Sequence, residues 1–220
     1  MFKTILFDLD GTLADTAPDL AEALNRTLRE AGREPLPFER IRPVVSHGGQ
    51  ALIRLGFGLA PGDAGFDALR ERFLGHYEAD LATRTRLFPG MPELLSSIAR
   101  RGMNWGVVTN KPAWLTDPLM AALGLDGEAA VVVSGDTLAV RKPHPAPMLY
   151  AAREAGSLPE QCIFMGDAER DIEAGRNAGM KTLVALFGYL GEDDDLAAWG
   201  ADGMVENPAD TLAWLDQYAA

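Results

Sequence analysis

Apolar residues follow two different rhythms along this chain. After residue 90, short continuous runs rich in β-branched residues alternate with stretches of helical spacing. The runs are MNWGVVTN (103–110), AAVVVSGD (129–136), QCIFMGD (161–167) and KTLVALFG (181–188), each bounded by Gly, Asn or Asp. Helical spacing covers 91–101, 114–123, 145–155 and 169–178. KTILFDLD at 3–10 reads as a further strand, ADGMVEN at 201–207 as a short edge strand, and 208–218 as a final helix. Uninterrupted apolar strands alternating with helices imply a parallel sheet covered on both faces. The predicted fold class is α/β, with a Rossmann-like parallel sheet.

Residues 16–82 break that alternation and show helical periodicity only. Leu20, Leu24 and Leu28 recur at a spacing of four, Leu52 and Leu55 follow, and Phe66, Leu69, Phe73, Tyr77 and Leu81 form a second stripe. The pattern predicts two domains: an α/β core from 1–15 and 83–220, and an all-helical insertion over 16–82. The joints are ADTAP (14–18) and TRLFPGM (85–91), where prolines and a glycine punctuate the chain.

Composition narrows the functional classes. With 220 residues, 47% of them hydrophobic, the chain can bury a full core. Its net charge of −12 comes from 32 acidic against 20 basic residues without a basic tract, which argues against a nucleic-acid partner. An anionic substrate is also repelled at long range, so a phosphate-binding role requires local cations or a metal. No apolar run approaches the roughly 18–20 residues of a membrane span, and no signal-like segment precedes the first strand. The lone Cys162 forms no intrachain disulfide; it lies in an apolar strand as a core thiol, and a reducing cytoplasm is the expected compartment.

In an open parallel sheet, ligands bind beyond the carboxyl ends of the strands. Those ends carry Asp8 and Asp10, Thr109 and Asn110, Asp136, and Asp167 with Asp171, while Lys142 sits in the loop RKPHP. Each has a structural reading of its own. An Asp ending a strand forms turns or caps helices, Thr109 can cap the next helix, Lys142 can be a surface lysine beside Pro143, and Asp171 can complement a helix dipole. Asp8 is the sharpest case, because Phe7 and Leu9 flank it at an apolar strand end. An uncompensated buried carboxylate costs on the order of several kcal/mol, so a cationic partner is expected there.

DLDGTLADT, VVTNK, RKP and GDAERD resemble, in order and spacing, the four signature motifs of haloacid dehalogenase-superfamily phosphatases. The resemblance covers the whole chain, with a helical cap inserted after the first motif. It implies that Asp8 is the nucleophile that forms an aspartyl-phosphate, and that Asp10 is the general acid and then the base. It further implies a Mg²⁺ site made by Asp8, the main-chain carbonyl of Asp10 and Asp167, with Asp171 orienting a metal-bound water or Lys142. Thr109 and Asn110 would hydrogen-bond the transferring phosphoryl group, and Lys142 would neutralise nucleophile and phosphate. Asp10 excludes the true dehalogenase branch, and Arg141 stands where glycine is frequent.

In such enzymes the cap reads the leaving group. VVSHGGQALIRLGF (44–57) looks like the cap loop of phosphoglycolate phosphatase-like members, which makes Ser46, His47, Gly48, Gly49 and Arg54 candidates to contact a carboxylate or sugar hydroxyls. The glycine pair also reads as a helix start, and Arg54 equally as a solvated helix residue. The implied partner is a small-molecule phosphate monoester, either N-acetylmuramic acid 6-phosphate, an intermediate of cell-wall recycling, or 2-phosphoglycolate. The alternative is a phosphosugar mutase of the β-phosphoglucomutase type. Either is expected as a monomer or homodimer.

Overall fold

The computed structural model describes residues 1–218. β1 (Thr4–Phe7) and β2 (Ala14–Asp15) precede four helices with no strand between them: α1 (Ala17–Glu30), α2 (Phe38–Ile41), α3 (Gly48–Phe57) and α4 (Phe66–Ala79). β3 (Arg86–Leu87) and α5 (Met91–Arg100) open the alternation. It continues through β4 (Asn104–Val108), α6 (Ala113–Ala122), β5 (Val131–Val133), α7 (Ala146–Glu154), β6 (Cys162–Gly166), α8 (Glu169–Asn177) and β7 (Lys181–Ala185). α9 (Leu196–Trp199), β8 (Gly203–Val205) and α10 (Asp210–Asp216) complete the described chain.

Six strands form one parallel sheet in the order β5-β4-β1-β6-β7-β8. β1 and β6 are buried along their whole length, as strands covered on both faces must be. Phe7 stands opposite Val107 of β4 and Met165 of β6. The residues that follow these three, Asp8, Thr109 and Asp167 among them, therefore leave the sheet at one edge. The strand order reverses on either side of β1, which opens a crevice there.

Two features depart from the sequence pattern. The run at 129–136 yields only three strand residues, because the N–H of Ser134 turns to Thr137 Oγ1 at 2.9 Å and that of Gly135 to the Lys111 carbonyl at 2.8 Å. The joints of the helical segment also pair with each other: β2 and β3 form an antiparallel ribbon with Ala14 opposite Leu87 and Asp15 opposite Arg86. Two-residue strands carry too little periodicity to be read in advance.

Within the helical segment α1 packs chiefly on α4. Leu20, Leu24 and Leu28 bury there with Phe73 and Tyr77, each large apolar side chain contributing roughly 1.5–3 kcal/mol. Asp19 in the first turn of α1 is buried and reaches across to the second joint. Its carboxylate accepts the N–H groups of Arg84 at 3.0 Å and Thr85 at 2.8 Å, and the Thr85 hydroxyl at 2.7 Å. No described helix is long and apolar enough to cross a membrane.

Candidate active site

Asp8 and Asp10 end β1 side by side, and the structure keeps them apart by giving each its own lysine. Asp8 Oδ1 accepts the N–H of Leu9 at 2.7 Å and lies 2.9 Å from Lys142 Nζ. Among the described residues, Asp8 Oδ2 receives no hydrogen bond from the protein. Asp10 Oδ1 accepts the Thr16 hydroxyl at 2.6 Å and lies 2.9 Å from Lys111 Nζ. Gly11 makes the turn between them and the helical segment with φ +83°. A Cβ there would stand 2.1 Å from Asp167 Oδ2, so the position admits glycine alone.

Lys142 is buried, with three oxygens close around its ammonium group. Nζ faces Asp8 Oδ1 and Asp171 Oδ1, both at 2.9 Å, and donates to the Val108 carbonyl at 2.7 Å. The Asp171 contact is close but poorly aligned for a hydrogen bond. The other oxygen of Asp171 accepts the Ala168 N–H at 3.1 Å and so anchors the start of α8. The resemblance left Asp171 two tasks, and the geometry turns it toward Lys142. Asn110 also lines the cavity, and its side chain donates to the Lys142 carbonyl at 3.0 Å and accepts the Lys142 N–H at 3.1 Å. It clamps the lysine loop, and Thr109, buried at the end of β4, lines the same cavity. Asp136 lies outside the site and accepts the Ala113 N–H at 2.8 Å, capping α6.

Asp167 accepts the Thr12 hydroxyl at 3.2 Å on Oδ1, and the Tyr189 N–H at 2.8 Å and the Ser46 hydroxyl at 2.6 Å on Oδ2. Burial, reinforced by Asp8 and Asp171, pushes its pKa up to about 7. Burial also raises Asp8 to about 6, against the opposing pull of Lys142. Two carboxylates that hold protons this far above the ordinary range are short of positive charge. Carboxylate oxygens of Asp8, Asp167 and Asp171 all lie within 4.8 Å of one another. An all-oxygen, carboxylate-rich set of this kind suits a hard divalent cation such as Mg²⁺.

The helical segment roofs this edge and encloses a cavity of about 430 Å³. Its floor includes Asp8, Asp10, Thr109, Lys111 and Lys142. The roof includes His47, Gly48 and Gly49 as expected. Gly48 has φ +80° at the start of α3, and a Cβ on Gly49 would approach Phe73 Cε1 to 3.2 Å, so the pair shapes a tight turn and a close α3–α4 contact. Burial and then Arg170 lower the pKa of His47, with Asp194 opposing. Arg54 is not brought to the site: it lies on the exposed face of α3, outside the cavity. Ser46 turns its hydroxyl to Asp167, and its carbonyl accepts an N–H of Arg170.

Four cavity-lining side chains escaped the sequence reading. Lys111 stands inside the quoted VVTNK and Arg170 inside GDAERD, so both were visible but unassigned. Burial would lower the pKa of Lys111, but Asp10 and Tyr77 outweigh it and raise it. Tyr77, whose hydroxyl lies 3.0 Å from Lys111 Nζ, was counted in an apolar stripe. Arg70, on the cavity wall, carried no local signal at all.

Residues 5–185 match the family model of haloacid dehalogenase-like hydrolases. The chain belongs to that family. Among the relatives of this haloacid dehalogenase-like hydrolase is a phosphoglycolate phosphatase of Xanthomonas campestris pv. campestris, 45% identical over 94% of this chain and 93% of the relative. Another is an N-acetylmuramic acid 6-phosphate phosphatase of Pseudomonas aeruginosa, 42% identical over 98% and 95%. The crystal structure of a predicted phosphoglycolate phosphatase from Haemophilus somnus superposes with a TM-score of 0.86, at 29% identity and covering 97% of this chain and 98% of that one.

Proposed function

We propose that this hydrolase is a Mg²⁺-dependent phosphatase that cleaves a phosphorylated sugar acid through an aspartyl-phosphate on Asp8, with the helical segment 16–82 acting as its cap. The observation that carries the reading is Asp8 itself. One of its oxygens is pinned by Leu9 and Lys142, and the other is left without a protein partner on the floor of the cavity.

Asp8 attacks phosphorus, forming the aspartyl oxygen–phosphorus bond as the bond to the leaving oxygen breaks, and Asp10 delivers a proton to that oxygen. Water then attacks the same phosphorus, its proton passes to Asp10, and Asp8 departs with the electron pair. Thr16 and Lys111 hold Asp10 on the cavity floor through both steps. Asp8, Asp167 and the Asp10 carbonyl would hold Mg²⁺, which supplies the positive charge that lets a phosphate approach a carboxylate. Thr109 hydrogen-bonds the transferring group, and Lys142 aligns Asp8.

Relatives at comparable identity are named for two substrates, phosphoglycolate and N-acetylmuramic acid 6-phosphate. The cavity of about 430 Å³ favours the larger, because a two-carbon acid would leave most of it empty. The test is phosphate release from both compounds and from β-glucose 1-phosphate, with Mg²⁺ or EDTA, using Asp8→Asn as control. Metal-dependent release that disappears in the variant is expected, with higher kcat/KM for the sugar acid. Release that survives Asp8→Asn removes the nucleophile assignment, and preference for phosphoglycolate removes the sugar acid.

A further inference from the structure

Most cations around the cavity already have partners. Lys142 is committed to Asp8, Asp171 and the Val108 carbonyl, Lys111 to Asp10 and Tyr77, and Arg170 to the Ser46 carbonyl. Among the described residues Arg141 borders the cavity unpaired but is exposed to solvent, whereas Arg70 on α4 is different. It is half-buried, it lines the cavity, no described carboxylate forms an ion pair with it, and its Nε is buried without a hydrogen-bond partner. A desolvated donor left unpaired is costly, and a guanidinium matches a carboxylate with two parallel hydrogen bonds.

Its position sets a distance. Arg70, Phe73, Leu74 and Tyr77 all line the cavity, and their spacing of three, four and seven places them on one face of α4. The Tyr77 hydroxyl meets Lys111, which meets Asp10, so the carboxyl end of α4 lies over the reacting centre. Arg70 sits two helical turns earlier, about 10 Å along the axis. Phe73 and Leu74 supply apolar wall between the two ends. The amino end of α3 at Gly48–Gln50 borders the same space and adds a positive dipole.

Building on the phosphatase reading, we propose that Arg70 is the specificity residue of the cap, binding a carboxylate that the leaving group carries at its far end from the phosphate. A sugar ring spans the two anionic groups; a two-carbon acid does not.

The test measures kcat/KM for wild type, Arg70→Ala and Arg70→Lys on four monoesters. N-acetylmuramic acid 6-phosphate carries the carboxylate, N-acetylglucosamine 6-phosphate has the same ring without it, 2-phosphoglycolate is the short acid, and para-nitrophenyl phosphate reports bare phosphatase chemistry. Wild type should prefer the acidic sugar over the neutral one. Arg70→Ala should lower kcat/KM on the acidic sugar by roughly 10- to 100-fold, mostly through KM. The neutral sugar and para-nitrophenyl phosphate should hold within about threefold, showing that the variant is folded, and Arg70→Lys should recover part of the loss, as a point charge without the fork does. Equal losses on all substrates, or no wild-type preference for the acidic sugar, would overturn the assignment while leaving the phosphatase reading intact. Preference for a sugar bisphosphate with the same dependence on Arg70 would also overturn it, by making the occupant a second phosphoryl group. Failure to release phosphate from any monoester, para-nitrophenyl phosphate included, would instead bring down the phosphatase reading and this proposal with it.

Discussion

Two neighbouring carboxylates on one strand end can coexist only if the charge of each is answered separately. Asp8 and Asp10 do this by facing different lysines, Lys142 and Lys111, each at 2.9 Å. Asp8 and Asp167 nevertheless keep pKa values near 6 and 7, far above the ordinary 3.8, because burial outweighs what the protein itself supplies. The sign of the effect on stability follows. Between about pH 4 and pH 7 the folded protein binds more protons here than the unfolded chain, so this contribution is present in acid and is lost as pH rises through those values. A divalent cation competes with protons for the same oxygens. Added Mg²⁺ should therefore raise the thermal midpoint of the metal-free protein more at about pH 8 than at about pH 5. Equal shifts at the two pH values, measured by calorimetry, would count against cation binding at these carboxylates.

At the scale of elements, the joint of the helical segment depends on contacts distant in sequence. Asp19 at the start of α1 holds residues 84 and 85 through backbone and hydroxyl donors. Asp19→Ala leaves those buried donors unpaired and should destabilise the protein by about 1–3 kcal/mol, seen as a fall of several degrees in the thermal midpoint. A midpoint unchanged to within about a degree would mean the β2–β3 ribbon holds the joint unaided. Legibility followed the same boundary between local and distant. β1, β4, β6 and β7 could be read in advance because a strand buried on both faces is an unbroken apolar run. Asp8, Asp10, Lys142 and Asp167 could be read because each closes such a run or sits in a short fixed loop. Arg54 and Arg70 look alike in sequence, both arginines on amphipathic helices. Which one faces the cavity is decided by how α3 and α4 are rotated against the sheet edge, and no local pattern records that. The clamp that Asn110 makes could not be read for a similar reason, since its partner lies 32 residues away in the Lys142 loop.

For the whole molecule, the net charge of −12 opposes the approach of any phosphorylated acid. The cations that would attract it are buried and largely paired with Asp8, Asp10 and Asp171. Raising ionic strength from about 10 to about 150 mM shortens the screening length from roughly 30 to 8 Å. With Mg²⁺ kept saturating, kcat/KM for an anionic substrate should therefore rise, while the melting temperature changes little. A fall in kcat/KM would show that the local field of the cavity governs approach. The sheet edge and the roof over it also come from separate stretches of chain, whose two joints pair in the β2–β3 ribbon. Chance substitutions in α3 and α4 reach the wall of the cavity without touching Asp8, Asp10 or Lys142. Under the proposed roles, inheritance of the reaction and inheritance of the choice of substrate are thus separable in this gene product, and a lineage could exchange one substrate for another while Asp8, Asp10 and Lys142 stay as they are.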